Sequence, residues 1–354
     1  MGTPRFNRGD CRSIIPLSIH FLTFLALMTA LPPTLSGCET SSESATPDPH
    51  PQDDVLRMNH IQVKGTHNSY HIEPEIAGPP WQYTHAPLDV QLGTQGVRQF
   101  ELDVHFDEDT GVFAVHHVPV VDAKTTCADL KTCLTLVDTW SIAHPDHVPI
   151  WIWIEPKNTA TQLTGWDGLQ KLEDRIRDVL PDDRRISPDD VRGDHPTLLA
   201  AVAADGWPTL RVARGRIVMV LLDSGAVRDD YVAGNNALKG KVLFAEGKAT
   251  DSWGVVAKID GPKGAGGKAI GEAVGLRRII RTRADSTDEP RAGDTSRRDA
   301  AFASGAHMVS TDYPAPVASP AGYHVEVPGG DPVRCNPVGA PTSCNANGLA
   351  GVGL

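Results

Sequence analysis

The sequence predicts an α/β protein that folds as a (β/α)8 barrel. Short apolar runs rich in valine and isoleucine alternate with stretches of helical period, and eight such runs lie between residues 61 and 311. That number of strands and that length are typical of this barrel. Acids and histidines follow several of the runs, and catalytic groups of such barrels lie at the carboxyl ends of the strands. An open doubly wound sheet is the alternative, but no glycine-rich phosphate loop follows the first run.

The predicted strands are short and bounded by polar or turn-forming residues. They cover residues 61–65, 96–104, 112–115, 149–155, 216–222, 241–245, 255–259 and 307–311. Helices are predicted over residues 166–180, 197–204, 271–283 and 295–304, because apolar positions recur there at helical spacing.

The first 38 residues are predicted to be a targeting segment. Three arginines precede an apolar stretch, which ends in Leu-Ser-Gly-Cys38. This ending resembles the lipobox of bacterial lipoproteins, which implies lipidation of Cys38, with an ordinary signal peptide as the alternative. A retained transmembrane helix is disfavoured because Pro16 and His20 interrupt the apolar stretch. The protein is therefore expected to be exported and lipid-anchored at the bacterial cell envelope, or otherwise secreted.

Three further segments follow the targeting segment. Residues 39–54 are rich in serine, proline and acids and are predicted to form a flexible, disordered tether. Residues 55–320 form the predicted barrel, and residues 321–354 form a tail rich in proline and glycine. The formal net charge of −11 argues against a nucleic-acid partner, which would require a basic surface. We expect a monomer that reaches a membrane through its anchor.

Four cysteines remain after the targeting segment, and they form two pairs that are close in sequence. Cys127 and Cys133 are predicted to form one disulfide, and Cys335 and Cys344 another, which would clip the tail. A zinc site is the weaker alternative because no Cys-x-x-Cys motif occurs. Disulfides agree with export to an oxidising compartment.

Three carboxylates at strand ends predict a metal site. Glu101 and Asp103 are two residues apart in a strand, so their side chains share one face, and Glu155 ends another strand. A bound cation would remove the repulsion between them. Oxygen ligands in this number suit Ca²⁺, with Mg²⁺ as the second choice, better than zinc. The alternative is that these acids only pair with nearby cations, such as Arg98 and Lys157.

Two histidines at strand ends predict acid/base chemistry on a phosphodiester. His67 and His116 can give and take the protons that cleavage of the ester requires. Asn68 offers a neutral amide oxygen to the cation, and His105 shares the face of Asp103.

The ordered set of polar residues resembles phosphatidylinositol-specific phospholipases C, and most closely their bacterial calcium-dependent branch. The resemblance runs from Ile61 to Pro314 and depends on His67-Asn68, Glu101-x-Asp103, His116, Glu155 and the closing Ser310-Thr311-Asp312-Tyr313-Pro314. It implies a distorted (β/α)8 barrel of the phospholipase C-like phosphodiesterase type.

The resemblance also implies roles for individual residues. His67 would lie at the leaving side of the phosphate, and His116 would be the second catalytic histidine. Asn68, Glu101, Asp103 and Glu155 would be calcium ligands, and Glu155 would also be a candidate base. An inositol hydroxyl would attack phosphorus, and the products would be diacylglycerol and a cyclic inositol phosphate.

The chain departs from this family at two points. Lys157 and Lys258 are candidates for binding the headgroup by strand position alone, and His117 replaces the family's glycine after the second histidine. A glycerophosphodiester phosphodiesterase on the same barrel is an alternative, although its usual His-Arg-Gly at the first strand is absent. A lipoprotein that only binds a headgroup is a further alternative, but all six positions of the pattern are filled.

Overall fold

Eight parallel strands form a ring at the centre of the protein. The computed structural model describes residues 48–315, 319–330 and 332–351. The strands are β1 (Ile61–Thr66), β2 (Val97–Asp107), β3 (Val112–Val115), β4 (Ile150–Pro156), β5 (Arg185–Ile186), β6 (Ile217–Leu221), β7 (Phe244–Ala245), β8 (Val256–Lys258), β9 (Ile279–Arg283), β10 (Met308–Thr311) and β11 (Val333–Cys335). The parallel order is β7-β6-β4-β2-β1-β10-β9-β8, and a bridge between Glu246 and Val256 joins β7 to β8. The predicted barrel is therefore confirmed.

Seven of the eight predicted strands belong to the parallel ring, and one does not. Residues 112–115 form β3, which pairs antiparallel with β2 as a hairpin and lies outside the parallel ring. The missing barrel strand is β9, and it covers the last part of the helix predicted over residues 271–283. The helix itself occupies Gly264–Gly275. The prediction was wrong here because β9 carries inward-facing arginines, so it lacks the apolar character of the other strands.

Helices connect the strands and cover the outside of the ring. They are α1 (Leu88–Gly93), α2 (Leu130–Ala143), α3 (Ala160–Gly165), α4 (Gly168–Val179), α5 (Pro188–Arg192), α6 (Leu198–Ala204), α7 (Leu210–Ala213), α8 (Ala226–Val232), α9 (Gly264–Gly275), α10 (Asp288–Ala292) and α11 (Ser296–Ala303). The predicted helices at 166–180, 197–204 and 295–304 correspond to α4, α6 and α11. Within the described residues, none of these helices has the length and apolar composition that crossing a bilayer requires.

The main core lies between the ring and the helices. Ile150, Ile152 and Ile154 of β4 are completely buried, as are Leu134 of α2 and Ile176 of α4. Full burial of such a side chain contributes about 1.5–3 kcal/mol. Because side chains alternate along β4, this packing turns the other face of the strand toward the interior of the barrel.

Both ends of the described chain are fastened at the amino-terminal end of the barrel. Asp53, in the predicted tether, is buried and forms an ion pair with Arg214, just before β6. Residues 48–54 therefore lie against the barrel, in contrast to the predicted tether. Residues 1–47, including the predicted targeting segment and Cys38, lie outside the described part of the chain.

Two disulfides are present, as predicted. Cys127 is bonded to Cys133 at the start of α2, and Cys335 is bonded to Cys344 in the tail. The tail packs on the barrel, because its strand β11 pairs antiparallel with the first half of β1. Disulfides persist in oxidising compartments, which indicates an exported protein.

Candidate active site

Polar side chains fill the carboxyl end of the barrel, which we call the mouth. Five neighbouring strands and the residues that follow them contribute inward-facing groups, because alternate residues of a strand share a face. These groups are His67, Glu101 and Asp103, Glu155, Arg281 and Arg283, and Ser310 and Asp312. Gly65 of β1 makes room for the side chain of Gln99 on the neighbouring strand β2, since a Cβ there would lie 1.9 Å from Oε1 of Gln99.

The three predicted carboxylates lie together at the mouth. Oxygens of Glu101, Asp103 and Glu155 are all within 4.8 Å of one another, and the parallel register of β2 on β4 sets Asp103 beside Glu155. Nζ of Lys157 lies 2.9 Å from Oδ2 of Asp103 and 2.7 Å from Oε1 of Glu155. The cluster therefore has the carboxylate ligands of a hard-cation site, and the ammonium group of Lys157 lies against two of these carboxylates.

Glu101 and Asp103 have opposite electrostatic environments. Burial opposes ionisation of Glu101, but an ion pair with the guanidinium of Arg281 outweighs it and lowers the pKa of Glu101 to about 2. Burial and the neighbouring Glu101 raise the pKa of Asp103 to about 7 against the attraction of Lys157. Despite the close ammonium, neither oxygen of Asp103 accepts a hydrogen bond of normal geometry from the described residues. Asp103 thus has free lone pairs that a cation could use.

His67 is oriented by the carboxylate of Asp312, which was not among the predicted site residues. Its Nδ1 lies 2.9 Å from Oδ1 of Asp312, and the other oxygen of Asp312 accepts from Arg283 at 2.8 Å. Burial opposes ionisation of Asp312, but Arg283 and His67 hold its pKa well below the usual range. Asp285 lies beside this pair and accepts from the backbone N–H of Asp312 at 3.2 Å. An ionised Asp312 fixes the orientation of the His67 imidazole and leaves Nε2 for substrate.

His116 lies at the end of β3, and its ring stacks on His105. The two ring centroids are 4.0 Å apart with an interplanar angle of 2°. Val104 pairs with Val115 in the hairpin, and this register carries His116 toward Asp103. Burial and the adjacent His105 lower the pKa of His116. His116 therefore packs on the histidine that shares a face with Asp103, and its lowered pKa favours the neutral imidazole.

Asn68 follows β1 and Lys258 ends β8, so both lie at the mouth end of their strands. Asn68 is buried directly after His67 with a φ of 42°, a left-handed conformation that asparagine tolerates better than most residues. Lys258 ends β8, and its Nζ is 3.9 Å from Asp260.

A family model described as "Phosphoinositide phospholipase C, Ca²⁺-dependent" matches residues 56–116 and 113–337 of this sequence. The chain belongs to this family. The matched residues span the whole barrel and the first half of the tail. The resemblance seen in the sequence is thereby confirmed.

Solved structures of bacterial calcium-dependent phospholipases C share the fold. A Pseudomonas sp. enzyme described as calcium-dependent and phosphoinositol-specific is 19% identical, with a TM-score of 0.57 over 80% of this chain and 97% of that one. A Ca²⁺-dependent phosphatidylinositol-specific enzyme from Streptomyces antibioticus is 20% identical, with a TM-score of 0.55 over 73% of this chain and 95% of that one. No curated protein matches the sequence significantly. At these identities the structural likeness establishes the fold alone.

Sequence reasoning missed the arginines that neutralise the carboxylates of this phospholipase C. Arg281 and Arg283 lie on β9, the strand that was predicted as helix. Arg281 reaches across the barrel interior to Glu101 and lies over the Trp153 ring, with its guanidinium carbon 5.8 Å from the ring centroid. The alternation of arginines at positions 281 and 283 was the available signal, because it has the period of a strand.

Proposed function

We propose that this protein is a calcium-dependent phosphatidylinositol phospholipase C that forms diacylglycerol and a cyclic inositol phosphate. The observation that carries this proposal is the convergence of Glu101, Asp103 and Glu155 at the mouth to which the carboxylate-held His67 also belongs. Membership of the family supports the same reaction. A bare carboxylate cluster would suggest only cation binding, whereas the oriented imidazole adds proton transfer.

The residues at the mouth fit a calcium ion. Glu101, Asp103 and Glu155 would hold it with the amide oxygen of Asn68, and the unsatisfied oxygens of Asp103 support this assignment. When bound, the ion would supply positive charge to the phosphoryl oxygens and acidify a coordinated hydroxyl. We favour calcium over magnesium because Mg²⁺ demands a nearly ideal octahedral geometry.

The reaction needs two proton transfers, and different side chains of this protein carry them out. His67, oriented by Asp312, lies on the leaving side and gives a proton to the diacylglycerol oxygen. Glu155 and His116 are the candidates that accept the proton of the attacking inositol hydroxyl. Lys157 and Lys258 are the candidate cations for the headgroup, and Lys157 has to leave Asp103 and Glu155 when a metal binds there.

Apolar side chains exposed at the mouth support a lipid substrate. Ile76, Val120 and Val121 are 91%, 95% and 55% exposed, and they belong to the loops that follow β1 and β3. The same two loops begin with His67 and His116, the candidate catalytic histidines. We propose that they contact the acyl region of a bilayer, and that a lipid at Cys38 anchors the exported protein to the cell envelope.

Phosphorus NMR of the products tests the proposed function. Purified protein with phosphatidylinositol and calcium should first form a cyclic phosphodiester, and a calcium chelator should abolish its formation. A monoester formed without a cyclic species would instead support water attack and the glycerophosphodiester alternative. Binding of inositol lipid without turnover would support the non-catalytic alternative.

Replacing Lys157 by methionine is expected to tighten calcium binding by about tenfold or more. The ammonium lies within 2.9 Å of Asp103 and 2.7 Å of Glu155, so it competes with a cation for both carboxylates. Titration calorimetry with calcium measures the effect, and Lys131→Met on exposed α2 is the matched control. Weaker binding in Lys157→Met would show that this lysine supports the site.

A further inference from the structure

The mouth contains a second imidazole–carboxylate pair that the family pattern does not include. Nδ1 of His117 lies 2.7 Å from Oδ2 of Asp122, just as Nδ1 of His67 lies 2.9 Å from Oδ1 of Asp312. The two imidazoles are also similarly accessible, with 24% and 25% of their side chains exposed. Within the described part of the chain, neither ring has a hydrogen-bond partner at Nε2.

Asp122 is a buried hydrogen-bond acceptor whose position is fixed by its neighbours. Its side chain is completely buried, and its second oxygen lies 2.9 Å from Nε2 of His71. His71 lies on the loop after β1, and its Nδ1 is 3.0 Å from the carbonyl oxygen of Tyr83. Asp122 therefore joins the loop that follows His67 to the loop that carries His117. A carboxylate at Nδ1 requires the proton of a neutral His117 on that nitrogen, so Nε2 presents a lone pair.

The backbone beside His117 is fastened to the inward face of β2. Nε2 of His105 lies 3.1 Å and 3.3 Å from the carbonyl oxygens of His116 and His117. His105 is two residues from Asp103 and shares its face. The Trp81 ring stands edge-on to the His117 ring, with centroids 5.9 Å apart. These contacts fix the position of His117 next to the carboxylate cluster.

His116, by contrast, lacks a group that would orient it as a base. Its ring stacks flat on His105, and no carboxylate of the described residues lies within ion-pair distance of it. A general base works best when a third group fixes its tautomer and stabilises the imidazolium that forms. Asp122 provides this for His117 and not for His116.

We propose that His117, oriented by Asp122, is the base that takes the proton of the attacking inositol hydroxyl. The bond from that oxygen to phosphorus forms, and the bond from phosphorus to the diacylglycerol oxygen breaks. The hydroxyl proton goes to Nε2 of His117, and His67 gives a proton to the leaving oxygen. In a later hydrolysis of the cyclic product, His67 takes a proton from water and His117 returns its own. This inference rests on the proposed function and moves the base from Glu155 or His116 to His117.

Two substrates with different leaving groups test this inference. Phosphatidylinositol has an alkoxide leaving group that needs protonation, whereas a p-nitrophenyl inositol phosphate has one that does not. We expect His117→Ala to lower kcat by about 10²–10⁴-fold on both substrates. His67→Ala should lower kcat strongly on phosphatidylinositol and much less on the p-nitrophenyl ester. Added imidazole should partly restore kcat of His117→Ala, which a purely structural defect would not allow.

His195→Ala is the matched control. Its Nε2 lies 2.7 Å from Oδ2 of Asp205, but this pair is near the amino-terminal ends of β5 and β6, away from the mouth. It should leave kcat on both substrates unchanged. Thermal melting and calcium titration verify that His117→Ala folds and binds the ion, and His117→Gln provides a second variant if alanine impairs folding.

The outcomes separate this inference from the proposed function. Absence of calcium-dependent turnover in the unmodified protein overturns the proposed function and this inference together. Normal turnover with His117→Ala within about threefold of the unmodified protein overturns the inference alone. A loss in His117→Ala that occurs only on phosphatidylinositol also overturns it, because it would make His117 the acid.

Discussion

Replacing Asp103 by asparagine is expected to lower kcat/KM on phosphatidylinositol by about 10³-fold or more. The change keeps the shape of the side chain but removes the carboxylate whose oxygens lack hydrogen bonds. A catalytic cation contributes several kcal/mol of charge stabilisation in the transition state, and each 1.36 kcal/mol is about tenfold in rate. Steady-state kinetics over a range of calcium concentrations measures the loss, which excess calcium should only partly restore.

Stability measurements test the same substitution without relying on activity. Burial and Glu101 raise the pKa of Asp103 from its ordinary value of 3.8 to about 7. The metal-free protein therefore loses stability as the pH rises between these two values, where the unfolded chain is ionised and the folded Asp103 still holds its proton. The asparagine variant should not show this loss. Calcium at about 100 times its Kd should stabilise the unmodified protein by about 2.7 kcal/mol and the variant far less.

Asp109→Asn, at the exposed turn after β2, is the control for this substitution. It should leave both turnover and the calcium-dependent shift in melting temperature unchanged. An equal calcium shift in Asp103→Asn and the unmodified protein would contradict the metal assignment.

Replacing His67 by alanine is expected to lower kcat by about 10²–10⁴-fold, the usual contribution of an acid/base group. Asp312→Asn should cost about 10²-fold or more, because it removes the carboxylate 2.9 Å from Nδ1 that sets the tautomer of His67. The two losses should not add in the double variant, since both residues act through one imidazole. Single-turnover kinetics with phosphatidylinositol measures the chemical step in all three proteins.

The matched control for this pair is Asp205→Asn, which disrupts an imidazole–carboxylate pair at the other end of the barrel, with 2.7 Å between its atoms against 2.9 Å in His67–Asp312. It should turn over normally. Additive losses in His67→Ala and Asp312→Asn would show that Asp312 contributes independently of His67, and would contradict its orienting role.

The carboxylates of the mouth could be predicted because each follows an apolar strand. Glu101 and Asp103 interrupt a buried run with the period of a strand, and Glu155 ends the run of isoleucines and tryptophans in β4. In a parallel barrel the carboxyl ends of strands meet, so local patterns were enough to bring these acids together.

The cations could not be predicted in the same way. Arg281 is 180 residues from its partner Glu101, and Arg283 pairs with Asp312 across two neighbouring strands. Their charges made β9 resemble the end of an exposed helix, although both guanidiniums pair with acids and the two side chains are only 1% and 15% exposed. Asp122 was missed because it lies in a loop, where no strand pattern marks it, and its second partner His71 lies 51 residues away on another loop.

The ion pairs of residues 48–54 hold Asp48 at the end of the barrel opposite the mouth. Asp48 and Asp54 pair with Arg211, and Asp53 pairs with Arg214, all beside the amino-terminal end of β6. Any attachment through the residues ahead of Asp48 therefore pulls on the end of the barrel opposite the mouth. We expect such an enzyme to turn its catalytic end outward, toward lipid on a facing membrane, and to reach lipid in its own supporting leaflet much less readily.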